Sequence, residues 1–524
     1  MKFTFLISLL LLSFLVNSQS NFSIKISADE IEQPFAWHYV MSLDDGSSVL
    51  LTTDKLRSKF YMKRFDQEAR MVLDTLFWES LDTEKNHVQI SGVHEINGRL
   101  IFFLSKLIKA TVTFYRLEID PKNGKKIREE ELFNYSITDQ EFPGNSDYTF
   151  DFTKNDVTKR YYFLVLVKAK KDNIELLLNS YNYDHQKVSS TAKQVPIKSS
   201  SIDLLSSLQI GNDYYFAINY NNVVDKTEKI YKKDIIIYKG SANKLEEVPF
   251  LAENFSNIIG GQFSNGQNGV KLAISNSYIT TETFFGDRKT DTYLLTLNDE
   301  IFGITEKQNI LHDKLISQYK NISKIKEKGR IHILNSPAAY FVNYANQDEM
   351  IFHSYSGGAN GNTQWTYIDD LGIFDFDSKG NLIKTDIHPL KYELTEHCTN
   401  TFQYNLWHKG NTFQYNAGHP SALLFKHIEF INYNGKTFVF YNDAPENIGV
   451  TDIKDATELK KINQSIGMCL VSNKDGNTKK TVGIVKEQLY FDFASAGFNE
   501  KTGIYSVITY AKKNKVFISH ITLQ

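Results

Sequence analysis

"NGRLIFFLSK", residues 97–106, is a polar turn, then an apolar run, then a lysine. Asn-Gly accepts the positive φ of a tight hairpin turn, and Leu, Ile and Phe suit a pleated, half-buried strand. The module recurs with little identity. It returns as DDGSSVLLTTD from Asp44, TKRYYFLVLVK from Thr158, GNDYYFAINYN from Gly211 and NGVKLAISNS from Asn268. KGRIHILNS from Lys328, NGKTFVFYND from Asn434 and KTGIYSVITYA from Lys501 complete the series. A unit that returns along one chain predicts a repeat architecture.

A second module follows most copies of the first: an aromatic or aliphatic strand, a turn of Asp, Asn or Gly, and another strand. Examples are FYMKRFDQEARMVL, TFYRLEIDPKNGKKI, LLLNSYNYDHQKVSS, DIIIYKGSANKLEEV, TYLLTLNDEIFGI, IFDFDSKGNLIKT and MCLVSNKDGNTKKTVGIV. Their turns at Asp66, Asp120, Asp184, Gly240 and Asn298 return every 54 to 64 residues. Two hairpin-forming modules per repeat predict four-stranded antiparallel units. The spacing widens towards Asp377 and Asn473, so the later units carry insertions.

The ends of the chain complement each other. The last unit, YFDFASAGFNEKTGIYSVITYAKKNKVFISHITLQ, holds three strands, and NFSIKIS, residues 21–27, is a strand with no unit of its own. Supplying the missing outer strand from the N-terminus closes a circle and removes an exposed edge. The expectation is an all-β chain: a single β-propeller of seven or eight four-stranded antiparallel blades. A row of β-sandwiches would need polar linkers, and the whole chain has nine prolines. The propeller spans 19–524, with insertions at about 306–329, 356–365, 388–425 and 455–466. Ile310, Leu311, Leu315, Tyr319 and Ile322 share one helical face, predicting a helix within Glu306–Gly329, and Asp455–Ile466 reads as a shorter one.

Composition narrows function. Lys and Arg total 59 against 61 Asp and Glu, which excludes a general nucleic-acid binder needing excess positive charge. The N-terminus, MKFTFLISLLLLSFLVNSQS, has one lysine, an apolar run from Phe3 to Val16 and small residues at Val16 and Ser18. It reads as a cleaved signal peptide over 1–18, because the run falls short of the ~20 residues a membrane span needs. No later stretch is long enough to span, so the expected location is secreted or periplasmic. Export permits a disulfide between Cys398 and Cys469; two buried thiols are the alternative.

No GxSxG elbow, HExxH or P-loop is present. In FDFDSKGNLIKTD, Asp375, Asp377, Gly380 and Asp386 hold calcium-loop positions one, three, six and twelve. Lys379 stands where an oxygen ligand belongs, so a hairpin turn is the better reading. His388, His397, His408, His419 and His427 cluster, but spacings of eight to eleven residues bring them together only through tertiary folding, and few carboxylates stand nearby. No cofactor or metal is therefore expected. NTFQYN occurs at residues 400–405 and again at 411–416. A turn at Lys409-Gly410 makes these the arms of a hairpin, with Tyr404 opposite Tyr415 and Trp407 opposite Thr412. The two insertions thus supply Trp365, Tyr404, Trp407, His408, Tyr415 and His419 as candidate ligand-binding residues. An aromatic face beside amide edges suits a sugar ring or a peptide.

The signal ending VNSQS, the hairpin FDFDSKGNLIKT and the segment NGKTFVFYNDAPENIG resemble uncharacterised secreted β-propeller proteins of Bacteroidota-type bacteria. The resemblance covers the repeat pattern only. It implies export and a propeller and carries over no catalytic residue. The expected function is an exported, non-enzymatic propeller that binds a protein or glycan partner through its loop insertions. Two alternatives stand beside it. One is a hydrolase or lyase acting on carbohydrate in an axial pocket. The other is a structural component of an envelope assembly, marked by apolar outer blade edges.

Overall fold

The computed structural model describes residues 21–524 apart from 33–37, 55–58, 80–87, 109–110, 137–147, 170–172, 197–198, 226–229, 242–243, 250–257, 267–268, 280–287, 299–302, 311–339, 345–346, 354–355, 361–362, 378–380, 398–427, 452–454, 474–475, 483–487 and 512–514. These residues form a β-propeller of seven four-stranded antiparallel blades and a sheet of five strands. No α-helix occurs among them.

The strand β1 is Phe22–Ile26. Blade one is β2 (His38–Ser42), β3 (Ser48–Thr53), β4 (Lys59–Phe65) and β5 (Met71–Glu79). Blade two is β6 (Val88–Ile96), β7 (Arg99–Ile108), β8 (Thr111–Ile119) and β9 (Lys126–Ser136). Blade three is β10 (Tyr148–Asn155), β11 (Arg160–Ala169), β12 (Asn173–Asn182) and β13 (Lys187–Val195). Blade four is β14 (Ser199–Ile210), β15 (Asp213–Asp225), β16 (Ile230–Ser241) and β17 (Lys244–Val248). Blade five is β18 (Ile258–Gly266), β19 (Gly269–Ile279), β20 (Arg288–Asn298) and β21 (Gly303–Ile310). The five-stranded sheet, blade six, is β22 (Tyr340–Tyr344), β23 (Gln347–His353), β24 (Ser356–Asn360), β25 (Thr363–Asp377) and β26 (Leu382–His397). Blade seven is β27 (Glu429–Tyr433), β28 (Lys436–Asp443), β29 (Ile466–Asn473) and β30 (Gly476–Thr481). Blade eight is β31 (Tyr490–Asn499), β32 (Ile504–Ala511) and β33 (Lys515–Leu523), with β1 paired antiparallel to β33, Phe22 opposite Leu523.

Each first-module copy among the described residues is a blade's second strand, and each second module is its third–fourth hairpin. The copy at Lys328 lies outside the described residues, and β23 holds that place in blade six. Two turns behave as their chemistry requires: Asn97 and Asn434 adopt φ of 51° and are followed by Gly98 and Gly435, also at positive φ, whereas Lys159 takes φ 52° with no glycine beside it. The core is a series of apolar seams between neighbouring blades. Val49, Phe60, Phe77, Phe102 and Leu104 join blades one and two, and Val165, Phe114, Phe150 and Tyr161 join two and three. Val40, Leu50, Ile508 and Ile518 join blade eight to blade one.

Two expectations change. Residues 306–310 of the expected helix are strand, with Glu306 opposite Thr296 and Ile310 opposite Thr292 in β20–β21; the remainder, 311–329, lies outside the described residues. Asp455–Ile466 holds no α-helix: it has a 3-10 turn at Ile462–Gln464 and ends on the first residue of β29. There, tertiary contacts of Leu459 override a helical period of apolar residues. Within the segment 356–365, Ser356–Asn360 of β24 pairs with the start of β25, and residues 388–397 belong to β26.

Candidate functional site

Among the described residues the longest strands are β25 and β26, at 15 and 16 residues. Only Leu371–Asp377 of β25 pairs with β23. Its first half pairs with β24 on one side and β26 on the other, so blade six carries a three-stranded arm. Its rows run Ser356–Tyr367–Glu393, Gly358–Trp365–Thr395 and Asn360–Thr363–His397. Trp365, expected in a binding insertion, thus sits in the central strand of the arm, opposite a glycine. Tyr404, Trp407, His408, Tyr415 and His419 lie outside the described residues, as do Cys398 and His427. Cys469 is buried with a free thiol, which burial pushes well above its usual range.

In the FDFDSKGNLIKT segment the residues on either side of 378–380 pair antiparallel as β25 and β26. Asp377 Oδ1 accepts the Asn381 N–H at 2.8 Å, its other oxygen accepts the Asn381 amide at 2.9 Å, and Asp375 pairs across from Lys384. Asp386 turns instead to the seam with blade seven. It accepts Asn477 Nδ2 at 2.6 Å and lies 3.3 Å from His388 Nε2, which leads the contacts holding its carboxyl down at about 2. Among the described residues, no group of three His, Cys, Asp or Glu side chains could hold a metal ion.

A second polar feature crosses four blades where their first strands end. Asn499 Nδ2 of blade eight donates to Asp44 Oδ1 of blade one at 2.8 Å, and Lys501 Nζ lies 3.1 Å from Asp44 Oδ2. The Asp44 N–H donates to Glu95 Oε2 of blade two at 2.7 Å. Lys154 of blade three donates to the Glu95 carbonyl at 3.1 Å and pairs with Asp156 at 3.3 Å. Burial pushes the Glu95 carboxyl up to about 7, with the negative charge of Asp44 adding to it. Burial also raises Asp44, but hydrogen bonds from Asn499 and Lys501 outweigh it and hold Asp44 below its ordinary value. Two carboxyls driven apart in this way can divide acid and base roles. On the other side of β6, His94 is buried and stacked on Phe152 at 3.7 Å between centroids, with no hydrogen-bond partner at Nε2; burial keeps it neutral.

Reading the sequence for motifs overlooks this belt, because its members are far apart in the chain. The repeat does hold a signal for them. Asp44 and Asp156 stand in the turn before a second strand, and Glu95 and Asn499 at the end of the strand leading into it, so superposing the modules places them at one end of the ring.

The same superposition shows a repeated irregularity on the outer strands. Shortly after the third–fourth turn, one residue drops out of register as a β-bulge: Val72 on β5, Ile127 on β9, Val188 on β13 and Ile383 on β26. All four are exposed, by 40 to 59 %. A bulge twists an edge away from further pairing, yet leaves these aliphatic groups in water.

No known protein family matches the chain, and no curated protein matches it. Several solved structures are similar in fold. The WD40 domain of SCAP from fission yeast is 7 % identical, with a TM-score of 0.38 over 96 % of this chain and 95 % of that one. A mutant of the Synechocystis apocarotenoid oxygenase is 8 % identical, with a TM-score of 0.34 over 93 % of each chain. A eukaryotic initiation factor is 8 % identical, with a TM-score of 0.35 over 86 % of this chain and 90 % of that one. The class this chain belongs to, the β-propellers, rests on its own sheet order. No helix among the described residues is long and apolar enough to cross a membrane.

Proposed function

We propose that this chain is an exported, non-enzymatic β-propeller that binds a protein or glycan partner through the arm of blade six. One observation carries the reading: β24, β25 and β26 continue as a paired ribbon past the last residue of β23, with Trp365 in its middle strand. A ribbon whose hydrogen bonds are made internally is a rigid platform, and rigid platforms cost less to order on binding. The expected secreted or periplasmic location rests on the N-terminal apolar run, and a glycan or exposed protein partner suits it.

The bulge residues favour a second reading, a component of a larger assembly. Val72, Ile127 and Val188 bring exposed aliphatic groups to the outer strands of three consecutive blades, and outer-edge apolar surface is what such a component presents. The hydrolase or lyase reading rests on Glu95 and Asp44 alone.

A photo-cross-linking residue placed singly at 365, 127 and 188 in the producing cell separates the readings. Adducts from 365 and not from 127 or 188 support the arm. Adducts from the rim positions alone move the function to assembly, and adducts from none of the three overturn both.

A further inference from the structure

The connection between β28 and β29 is built around one buried amide. Asn447 has no exposed surface, and its side chain has both donor and acceptor engaged. Nδ2 donates to Asp443 Oδ1 at 2.8 Å and to the Thr457 carbonyl at 3.0 Å, while Oδ1 accepts the Thr457 N–H at 2.7 Å. Its own carbonyl accepts Lys479 Nζ from β30 at 3.0 Å. Aspartate is close in shape but lacks the two donors, so the pattern requires asparagine.

Two residues beyond Thr457, the chain reaches across the seam. The Leu459 N–H donates to the Lys391 carbonyl of β26 at 2.8 Å. The Leu459 side chain is buried with Leu371 and Leu390 of blade six and Val439 and Met468 of blade seven. Lys391 pairs with Asp369, beside the register shift where β25 and β26 leave the blade and become the arm. Blade seven therefore caps the free edge of β26 at the root of the arm.

We propose that Asn447 is a positioning residue: through Thr457 and Leu459 it clamps the root of the blade-six arm to blade seven and sets the arm's orientation for its partner. The orientation half of this inference rests on the arm being the docking element. The clamp itself does not.

Hydrogen exchange on the full mature chain tests the clamp without any partner. In Asn447→Ala, amides of 363–369 and 391–397 exchange at least about tenfold faster, while residues 38–195 are unchanged. Leu459→Pro keeps the Asn447 hub and removes both the N–H that reaches Lys391 and the buried leucine side chain at the seam, and it gives the same arm signature even where Asn447→Ala folds poorly. Faster exchange confined to 444–465 in both variants overturns the clamp, and so does loss of protection across the ring in Leu459→Pro. Cross-linking from position 365, repeated in Leu459→Pro, reads the docking element separately. No adduct in the parent chain with the arm signature present removes the partner reading and leaves the clamp. Adducts in the parent that persist undiminished in Leu459→Pro overturn the orientation half.

Discussion

The seam between blades one and two and the seam between blades eight and one do the same geometric job with different chemistry. The first is apolar through its core, where Val49, Leu51, Phe60, Phe77, Phe102 and Leu104 pack together with the Phe77 and Phe102 rings 5.1 Å apart, and the Asp44–Glu95 hydrogen bond lies at its end. The second has an apolar side, but hydrogen bonds buried beside it link residues more than 450 positions apart. His38 Nε2 donates to Asp492 Oδ2 at 2.8 Å, Ser42 Oγ lies 2.6 Å from Ser506 Oγ, and Ser48 Oγ lies 2.8 Å from His520 Nε2. Ser48 and His520 tie the second strand of blade one to β33. Apolar packing is tolerant of small slips, whereas a buried hydrogen bond made at the wrong register leaves two polar groups unpaired. Blades one to five follow one another with 3 to 11 residues between them, which limits the register of their seams. Blade eight reaches blade one along the chain only through β1, which is itself held to β33 by strand pairing, and directional bonds add to that link. Gly497 sharpens the fit, since a Cβ there would stand 2.5 Å from the Val40 carbonyl oxygen.

The largest effect tests the apolar seam. Phe102→Ala removes a fully buried ring and should lower stability by about 3–5 kcal/mol in urea unfolding. A loss below about 1 kcal/mol would mean that the seam collapses around the gap and contributes less than its burial implies. Next comes the closing seam. Asp492→Ala leaves His38 without its carboxylate and should cost about 2–3 kcal/mol. A double-mutant cycle with His38→Ala should show coupling above about 1 kcal/mol; additive losses would remove the argument for directional closure.

The smallest effect is pH-dependent and should fall on the closing seam. Burial lowers His520 from 6.5 to about 4. Between those values the unfolded chain binds the extra proton, so the stability is present above about pH 6.5 and is lost as pH falls towards 4. From pH 7.5 to pH 5 that amounts to about 2 kcal/mol for this group. His520→Gln should flatten that part of the profile, read as melting temperature against pH. Hydrogen exchange at pH 5 should show β33 and β3 losing protection before β7. Equal loss at both seams would sink the assignment to His520.

Much of the blade was legible in the sequence because its determinants are local. Asn97-Gly98 and Asn434-Gly435 turn as their residue types require, and the third–fourth hairpins fall where Asp66, Asp120, Asp184 and Asp377 mark them. Ile310 misleads because an apolar residue at helical spacing also fits β21 once β20 lies beside it. Leu459 misleads for a similar reason: its partner is Lys391, far away in sequence. Of the residues placed in the arm, Trp365 is one that the sequence reading offers as a candidate. The belt of Asp44, Glu95, Lys154 and Asn499 joins four repeats, and no spacing within one repeat predicts which side chains will meet.

The alternation of strand and turn, the all-β class and the balanced charge follow from residue chemistry over ten residues or fewer, where backbone preference and burial act without distant help. Which blades touch, why burial pushes Glu95 up to about 7 while hydrogen bonds hold Asp44 below its ordinary value, and where Asn447 anchors the arm depend on burial and on partners brought in by the ring. Desolvation and hydrogen bonding at those sites arise only when distant segments exclude water together.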